Sequence, residues 1–303
     1  MEKIYGKILL LGEYAVLAGS YAFSIPHYGF SGRLEFMQKP FDQKQQRSNQ
    51  TLQNFRTYLE EQSSLWEWIH FDMERFGEDL TQGLYFDSVI PVHYGLGSSG
   101  ALVAAIYREY AGDHLKAASL TELKHLFAGA EAFFHGRSSG IDPLTSYVGK
   151  PLIFTDQIDQ VPTKNDLQQL NQSWFLFDSG SPSGTGDLVA LFVEKLSNKK
   201  FSSGFTREYV NLIDQAVVHM RNENDGVLSQ HMKRISLLQL KYFREMIPGS
   251  IVPLWKQGLK SGDYSMKLCG SGGGGYFLIH TKLPEENLLE YFPGPLTRVL
   301  FAI

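Results

Sequence analysis

Residues 91–101 read PVHYGLGSSGA, and this stretch decides the fold class. The alternating segment from Tyr85 to Val92 predicts a strand before it, and the small and apolar residues from Ser99 onward predict a helix after it. Glycines between the two let the backbone turn tightly and approach a ligand closely. The free N–H groups and the positive dipole end of the following helix favour phosphate. The stretch therefore predicts a strand, a phosphate-binding turn and a helix.

Two other interpretations of this stretch stay open. Residues 95–100 also fit G-x-G-x-x-G, the dinucleotide fingerprint, as do Gly270, Gly272 and Gly275. A dinucleotide unit needs an acidic residue about 20 positions on, after a second strand, and Glu122 at that distance falls in a predicted helix. The other interpretation is a plain glycine turn in which a serine caps the helix. Neither glycine run is followed by the Lys and Ser or Thr of a Walker-A loop.

A second glycine-rich segment runs from Lys267 to Gly275 and includes four consecutive glycines. Residues 266–269 and 276–279 read as strands on either side of it. So many glycines predict backbone packed against another loop or against a phosphate, with a flexible hairpin as the alternative.

Other hydrophobic patterns predict a mixture of strands and helices. Residues 3–36 read as strands, and Ala15–Leu17 is one of their buried runs. The polar segment 37–63 predicts either an exposed loop leading into a helix or a lid over a ligand. A helix is predicted from Thr121, as its N-cap, to Phe134, and residues 187–247 are mostly helical in pattern.

The length of 303 residues exceeds what one hydrophobic core usually serves, so two domains are expected. The polar stretch before residue 172 places the boundary so that the domains span residues 1–160 and 161–303.

Charge and cysteine content exclude several classes of protein. A formal net charge of −4 argues against a nucleic-acid or membrane-surface partner, since such binding needs a basic face. The single cysteine, Cys269, excludes an intrachain disulfide and a cysteine-based zinc site. The apolar run Ile8–Leu11 is too short for a signal peptide, and no stretch reaches the roughly 18 apolar residues of a membrane span. A cytoplasmic location is expected.

Two carboxylates flank a glycine turn: Glu131 at the end of a predicted helix, and Asp142 just after Gly140. One could bind Mg²⁺, which prefers one or two carboxylates plus substrate phosphates, and the other could face a substrate hydroxyl. A surface glutamate and a helix-capping aspartate are the alternative. Near the N-terminus, Lys7 borders a buried strand, where a lysine can also simply extend to solvent.

Taken in order, these segments resemble the GHMP kinases, the family of galactokinase and of homoserine, mevalonate and phosphomevalonate kinases. Residues 6–16 are similar to the first motif of the family, residues 91–101 to its phosphate loop, and residues 267–275 to its third motif. Glu131 and Asp142 have a spacing similar to that of the metal glutamate and catalytic aspartate of mevalonate kinases. The resemblance implies a two-domain α+β fold with the active site in the cleft between the domains.

The resemblance also implies roles for the matched residues. Asp142 would accept or orient the proton of the acceptor hydroxyl, and Lys7 would hold Asp142 ionised and support charge on the transferring phosphoryl group. Ser99 and Glu131 would hold Mg²⁺. The ATP phosphates would be cradled by Gly95, Leu96, Gly97, Ser98, Ser99, Gly100 and Ala101. Residues near the phosphates or the substrate would be Glu13, Tyr14, Arg137, Thr185, Gly270, Ser271, Gly272 and Gly273.

The implied function is an ATP- and Mg²⁺-dependent kinase that phosphorylates a hydroxyl of a small-molecule alcohol, as a monomer or homodimer. Residues 138–142 look like mevalonate kinase, whereas residues 12–17 and 94–100 look closer to phosphomevalonate kinase. Arg137 and Lys150 are the cations nearest to Asp142 in sequence, and this scarcity favours an unphosphorylated acceptor such as mevalonate. Phosphomevalonate and a sugar are the alternative acceptors. An NAD-dependent dehydrogenase and a non-catalytic ligand-binding member are the alternatives of another class.

Overall fold

The computed structural model describes residues 1–38, 42–62, 71–111, 119–161, 173–183, 185–221 and 225–300. These residues form a mixed fold of helices and antiparallel strands, which agrees with the predicted α+β class. The strands are β1 (Ile4–Leu11), β2 (Ala22–Phe36), β3 (Leu84–Ser88), β4 (Leu152–Phe154), β5 (Ile158–Gln160), β6 (Trp174–Asp178), β7 (Tyr264–Leu268), β8 (Tyr276–Thr281) and β9 (Leu296–Arg298).

The helices alternate with these strands in the first half of the chain and dominate the second half. They are α1 (Gln43–Glu61), α2 (Met73–Thr81), α3 (Ser98–Tyr110), α4 (Leu120–His135), α5 (Ile141–Val148), α6 (Thr185–Ser197), α7 (Lys199–Phe205), α8 (Asn211–Arg221), α9 (Asp225–Tyr242), α10 (Val252–Ser261) and α11 (Glu285–Leu289). A π-helical turn, Thr206–Val210, joins α7 to α8. Across the described ranges, no helix combines the length and the apolar character needed to cross a membrane.

Two local predictions were wrong. Ala15–Ala18 is a 3₁₀ turn rather than a strand, because Gly19 adopts a left-handed conformation (φ 79°) and closes the turn with local backbone hydrogen bonds. Ser119, not Thr121, caps α4. The Ser119 hydroxyl accepts from the Glu122 N–H while the Glu122 carboxylate accepts from the Ser119 N–H, which is a capping box.

The polar segment 37–63 is mostly helix α1. Asp42 caps it, accepting a hydrogen bond from the Lys44 N–H at 2.8 Å. Leu52, Phe55 and Leu59 are buried along one face of the helix, so α1 belongs to the core. Residues 39–41 and 63 lie outside the described residues.

Two compact units make up the chain, and neither is a continuous segment. The first contains residues 1–7, 29–90 and 97–149, and the second contains residues 8–28, 91–96 and everything from 150 onward. This division differs from the single boundary expected at residue 160. The difference arises because β1 and β2 each contribute one end to each unit. Each unit is therefore assembled from segments that are not continuous in sequence.

The first unit is built on the second half of β2. This half pairs antiparallel with β3, from Gly32 opposite Ser88 to Phe36 opposite Leu84. Helices α1 and α2 pack near β3, and helices α3, α4 and α5 pack against one another. The buried Asn49 of α1 donates hydrogen bonds to the Leu84 carbonyl (2.6 Å) and to another carbonyl, at the end of α2, which ties the helix to the strand.

The second unit contains an antiparallel sheet in the order β7-β8-β6-β9. The first half of β2 also lies in this unit and pairs with β4, from Ala22 opposite Phe154 to Ser24 opposite Leu152. This unit also contains a cluster of aromatic rings with centroids 5.0 to 5.9 Å apart, which is a normal packing distance for such rings. The rings are those of Phe192, Phe205, Tyr209 and Phe243.

A buried ion pair lies at the centre of the second unit. Lys267 of β7 contacts the carboxylate of Glu13, and the side chains are 0% and 1% exposed. The Lys267 ammonium also donates to the carbonyls of Leu268 (2.8 Å) and Leu9 (3.2 Å). Because an unpaired buried charge is very costly, each partner depends on the other.

Lys267→Met should therefore destabilise the protein by about 3–5 kcal/mol, since it leaves the Glu13 carboxylate buried without a counter-ion. The double variant with Glu13→Gln should recover part of that loss. Lys195→Met, which breaks the exposed pair of Lys195 with Glu245, is the control and should cost at most about 1 kcal/mol. Urea denaturation measures all three. An effect of Lys267→Met no larger than that of Lys195→Met would contradict the structural role of the buried pair.

Candidate active site

An ion pair in the first unit brings two of the predicted catalytic residues together. Lys7 of β1 is 3% exposed, and its Nζ lies 2.8 Å from Oδ2 of Asp142. Asp142 is in the first turn of α5, where the helix dipole favours a negative charge. Its side chain is 29% exposed, so solvent or a substrate can reach the carboxylate.

Gly97 makes room for the Lys7 side chain. It precedes α3 in a left-handed conformation (φ 69°), and a Cβ there would lie 2.8 Å from Cε and 2.9 Å from Cγ of Lys7. No real Cβ tolerates such contacts, so any other residue would displace the lysine. Glycine at position 97 is thus required by the ion pair as well as by the turn.

Gly100 lets α3 approach α5 closely. A Cβ at Gly100 would lie 2.8 Å from the Pro143 nitrogen and 2.9 Å from the carbonyl carbon of Asp142. The first turn of α3 therefore lies directly beside Asp142. Its Ala101 N–H already bonds to the Gly97 carbonyl at 2.9 Å. The helix-start N–H groups that lack an intrahelical acceptor are those before Ala101, and these can bind an anion.

The predicted metal ligands also meet. The Ser99 hydroxyl donates to Oε1 of Glu131 at 3.0 Å, and the Ser138 hydroxyl donates to Oε2. Glu131 is 4% exposed. Burial, together with the negative charge of Asp142, raises the pKa of Glu131 to about 7, against the opposing effects of the two hydroxyls and Lys7.

His135 is a site residue that the sequence interpretation missed. His135 is the last residue of α4, and its Nε2 lies 3.0 Å from the Ser99 hydroxyl oxygen. Glu131 precedes it by one helical turn, so both side chains project from the same face. The spacing of four between a carboxylate and an imidazole was the available signal.

This arrangement fits a divalent cation. A buried carboxylate with a raised pKa gains from a positive charge, and the serine hydroxyl adds a second oxygen. Among the described residues, no three His, Cys, Asp or Glu side chains converge in metal-binding geometry. Phosphate oxygens and water would complete the coordination, which is the usual environment of Mg²⁺.

The second glycine-rich segment packs tightly against other loops of the second unit, as one interpretation predicted. A Cβ at Gly95 would lie 2.0 Å from the Cys269 carbonyl oxygen. One at Gly275 would lie 2.8 Å from Cα of Tyr94, and one at Gly274 would lie 2.6 Å from the Ser181 carbonyl oxygen. Glycine is needed here for backbone-to-backbone contact.

Hydrogen bonds fix the same segment. The Gly273 N–H donates to the Met246 carbonyl at 2.7 Å, and the Gly275 N–H donates to the Ser181 carbonyl at 2.6 Å. The Ser183 hydroxyl donates to the Gly272 carbonyl. These bonds argue against a free flexible hairpin.

Glu13 and Tyr14, predicted to lie near the substrate, have internal partners. Glu13 is held by Lys267. The Tyr14 hydroxyl donates to the Ser271 carbonyl at 2.6 Å, and burial raises the pKa of Tyr14. Tyr14 has a positive φ of 60°, which is uncommon for a residue other than glycine and places the ring on Phe192. Tyr14 thus supports the glycine-rich segment.

The structure gives less information about the roles of the remaining predicted site residues. Arg137 is exposed in the turn between α4 and α5, and Leu96 is fully buried. The backbone of Thr185 begins α6, but its side chain lies outside the described residues. Gly270 has a positive φ of 82°, and a Cβ there would lie 2.9 Å from Cα of Gly95.

Residues 65–150 match the family described as the GHMP kinases N terminal domain. The match includes the first turn of α3, Glu131 and Asp142, whose geometry is described above. This segment resembles the N-terminal domain of GHMP kinases. The similarity indicates an ATP-dependent kinase.

Several kinases are similar to this protein along most of the chain. A mevalonate kinase of Archaeoglobus fulgidus is 27% identical over 288 residues, covering 89% of this chain and 88% of the relative. The crystal structure of the Methanococcus jannaschii mevalonate kinase superimposes with a TM-score of 0.63 at 16% identity, covering 99% of this chain and 98% of that one. A Lactococcus lactis galactokinase, complexed with galactose, gives 0.65 at 14% identity, covering 99% and 92%. The fold is therefore shared by kinases of different acceptors.

Gly97→Ala should abolish most kinase activity, because the new methyl group would displace Lys7 from Asp142. Gly19→Ala is the matched control, since Gly19 also has a positive φ (79°) but nothing lies within 4 Å of a Cβ there. Both variants carry a strain of about 1–2 kcal/mol, which thermal denaturation measures. Only the Gly97 variant should lose kcat. Equal activity of the two variants would disprove the steric argument.

Cation binding should depend on pH through Glu131. Its raised pKa means that the metal-free protein holds a proton there below about pH 7, and a cation must displace that proton. The affinity for Mg²⁺ in the presence of ADP should thus be weaker at pH 6 than at pH 8, by about tenfold. Calorimetric titration measures it. Glu131→Gln should bind more weakly and lose this pH dependence, and a wild-type affinity unchanged between the two pH values would contradict the assignment.

Proposed function

We propose that this kinase transfers the γ-phosphate of ATP to a hydroxyl of mevalonate. The observation that carries the proposal is the ion pair of Lys7 with Asp142 beside the first turn of α3. It combines a carboxylate that a substrate can reach with a buried cation and with helix-start N–H groups that suit phosphate.

The chemistry follows from these groups. The acceptor hydroxyl is held against Asp142, whose carboxylate takes the hydroxyl proton as the oxygen attacks the γ-phosphorus. The bond between the γ-phosphorus and the oxygen of the β-phosphate breaks, and ADP leaves. Lys7 keeps Asp142 in its charged form and compensates negative charge on the transferring group.

Ser99 and Glu131 would hold Mg²⁺. When bound, the ion neutralises phosphate charge and fixes the phosphates for transfer. The remaining residues of the predicted phosphate loop and of the third motif stay predictions for nucleotide binding. The enzyme is proposed to act in the cytoplasm, as a monomer or homodimer.

Two observations favour mevalonate as the acceptor. The Archaeoglobus fulgidus relative named above is a mevalonate kinase, and its similarity covers most of both chains. In addition, residues 138–149 contain no Lys or Arg, so the helix that carries Asp142 offers no cation for an acceptor that is already phosphorylated. Similarity of fold does not distinguish between the possible acceptors, because a galactokinase structure matches as well.

A coupled ADP-release assay over mevalonate, phosphomevalonate, homoserine and galactose tests the acceptor. The proposal expects kcat/KM for mevalonate to exceed the other values by at least about 100-fold, because a mismatched acceptor leaves buried polar groups unpaired. A preference for phosphomevalonate or galactose would change the assigned acceptor and leave the assignment as a kinase unchanged. Absence of ADP release with all four would contradict the proposed acceptor.

Asp142→Asn should lower kcat by about 10²–10⁴-fold, since the amide cannot take the hydroxyl proton. ATP affinity, measured by calorimetry, should stay within a few-fold. Asp87→Asn, on an exposed position of β3, is the control and should leave both quantities unchanged. A near-normal rate of the Asp142 variant would refute its role as the base.

A further inference from the structure

We propose that His135 is a third protein ligand of the divalent cation, together with Ser99 and Glu131. The site would then offer two oxygens and one nitrogen, and would favour Mn²⁺ or Co²⁺ over Mg²⁺ more strongly than an all-oxygen site. The inference rests on the proposed function in one respect, namely that a nucleotide-bound cation occupies the Ser99–Glu131 site.

The three side chains meet at one hydroxyl. The Ser99 oxygen lies 3.0 Å from Oε1 of Glu131 and 3.0 Å from Nε2 of His135. A hydroxyl has a single proton and can donate it to only one of these neighbours at a time. Carboxylate, hydroxyl and imidazole groups therefore gather around one point, and each of them can offer a lone pair to a cation.

Helix geometry holds the two outer groups in place. Glu131 and His135 are one turn apart on α4, so their side chains lie on the same face. The carboxylate is buried, whereas the imidazole is exposed at the end of the helix. Gly136 ends α4 immediately after His135, with a positive φ of 70° and nothing within 4 Å of a Cβ there. A cation held by Ser99 and Glu131 can therefore be reached by His135 from the solvent side.

The ligand set determines which cation is preferred. Mg²⁺ takes oxygen ligands almost exclusively, whereas imidazole suits first-row transition metals. Loss of the imidazole should therefore weaken Mn²⁺ binding by about tenfold and Mg²⁺ binding by much less. A residue that only supported the fold of α4 would not separate the two metals in this way.

The test uses the full chain, grown with ¹⁵N-labelled histidine and loaded with Mn²⁺ and the non-hydrolysable analogue AMP-PCP. Electron spin echo envelope modulation detects ¹⁵N coupled to bound Mn²⁺, and the label excludes signals from the adenine ring. We expect a ¹⁵N coupling in the wild type, its loss in His135→Gln, and its retention in His125→Gln. His125 is an exposed histidine of the same helix and serves as the matched control. Calorimetry with Mn²⁺ and Mg²⁺ on the same three proteins measures the change in preference.

The outcomes separate this inference from the function on which it rests. Binding of Mn²⁺ and nucleotide with no ¹⁵N coupling would overturn the role of His135 and leave the kinase proposal standing. An unchanged ratio of Mn²⁺ to Mg²⁺ affinity in His135→Gln would overturn it as well. Failure of the wild type to bind Mn²⁺ with the nucleotide would overturn both. Circular dichroism checks that the helix content of the variants equals that of the wild type in each comparison.

Discussion

Lys7 can contact Asp142 because the residues beside this ion pair are glycines, which have no Cβ. The buried lysine passes beside Gly97, and α5 carries Asp142 against α3 at Gly100. Any larger side chain at either glycine would separate the two helices or displace the ammonium group. Within the second unit the same constraint operates at Gly95, whose Cα lies against the backbone of residues 269–270. Close contact between backbones explains the glycine runs, and exposed N–H groups suited to phosphate are its chemical consequence.

Two buried lysines form ion pairs that differ in the exposure of the carboxylate partner. Lys267 and Glu13 are both inaccessible, with side chains 0% and 1% exposed, so their charges can only stabilise the second unit. Lys7 is equally buried, but the side chain of Asp142 is 29% exposed. That carboxylate is therefore accessible to solvent, as its proposed role as a base requires, while its counter-ion is buried in the protein. The two pairs differ in the exposure of the carboxylate, since both cations are lysines on strands.

The fold and the acceptor are decided by different parts of the molecule. Mevalonate kinase and galactokinase structures match almost the whole chain at comparable TM-scores, so the arrangement of strands and helices serves acceptors of unlike shape. Transfer chemistry needs only a carboxylate, cations and donors to phosphate, which one arrangement of strands and helices can supply for different acceptors. Acceptor choice depends on the side chains that line the pocket, which can change without affecting the fold.

Local pattern by itself determined the strand, turn and helix at residues 85–110, and the pairing of a metal carboxylate with Asp142 was predicted from motif resemblance. These features depend on glycine geometry and on residues close in sequence. Only the tertiary structure showed that Tyr14 bonds to the carbonyl of Ser271, 257 positions away, and that Glu13 pairs with Lys267, 254 positions away. It also showed His135 beside Ser99. Such contacts arise from long-range strand and helix packing, and neither spacing nor periodicity along the chain encodes which distant residues will meet.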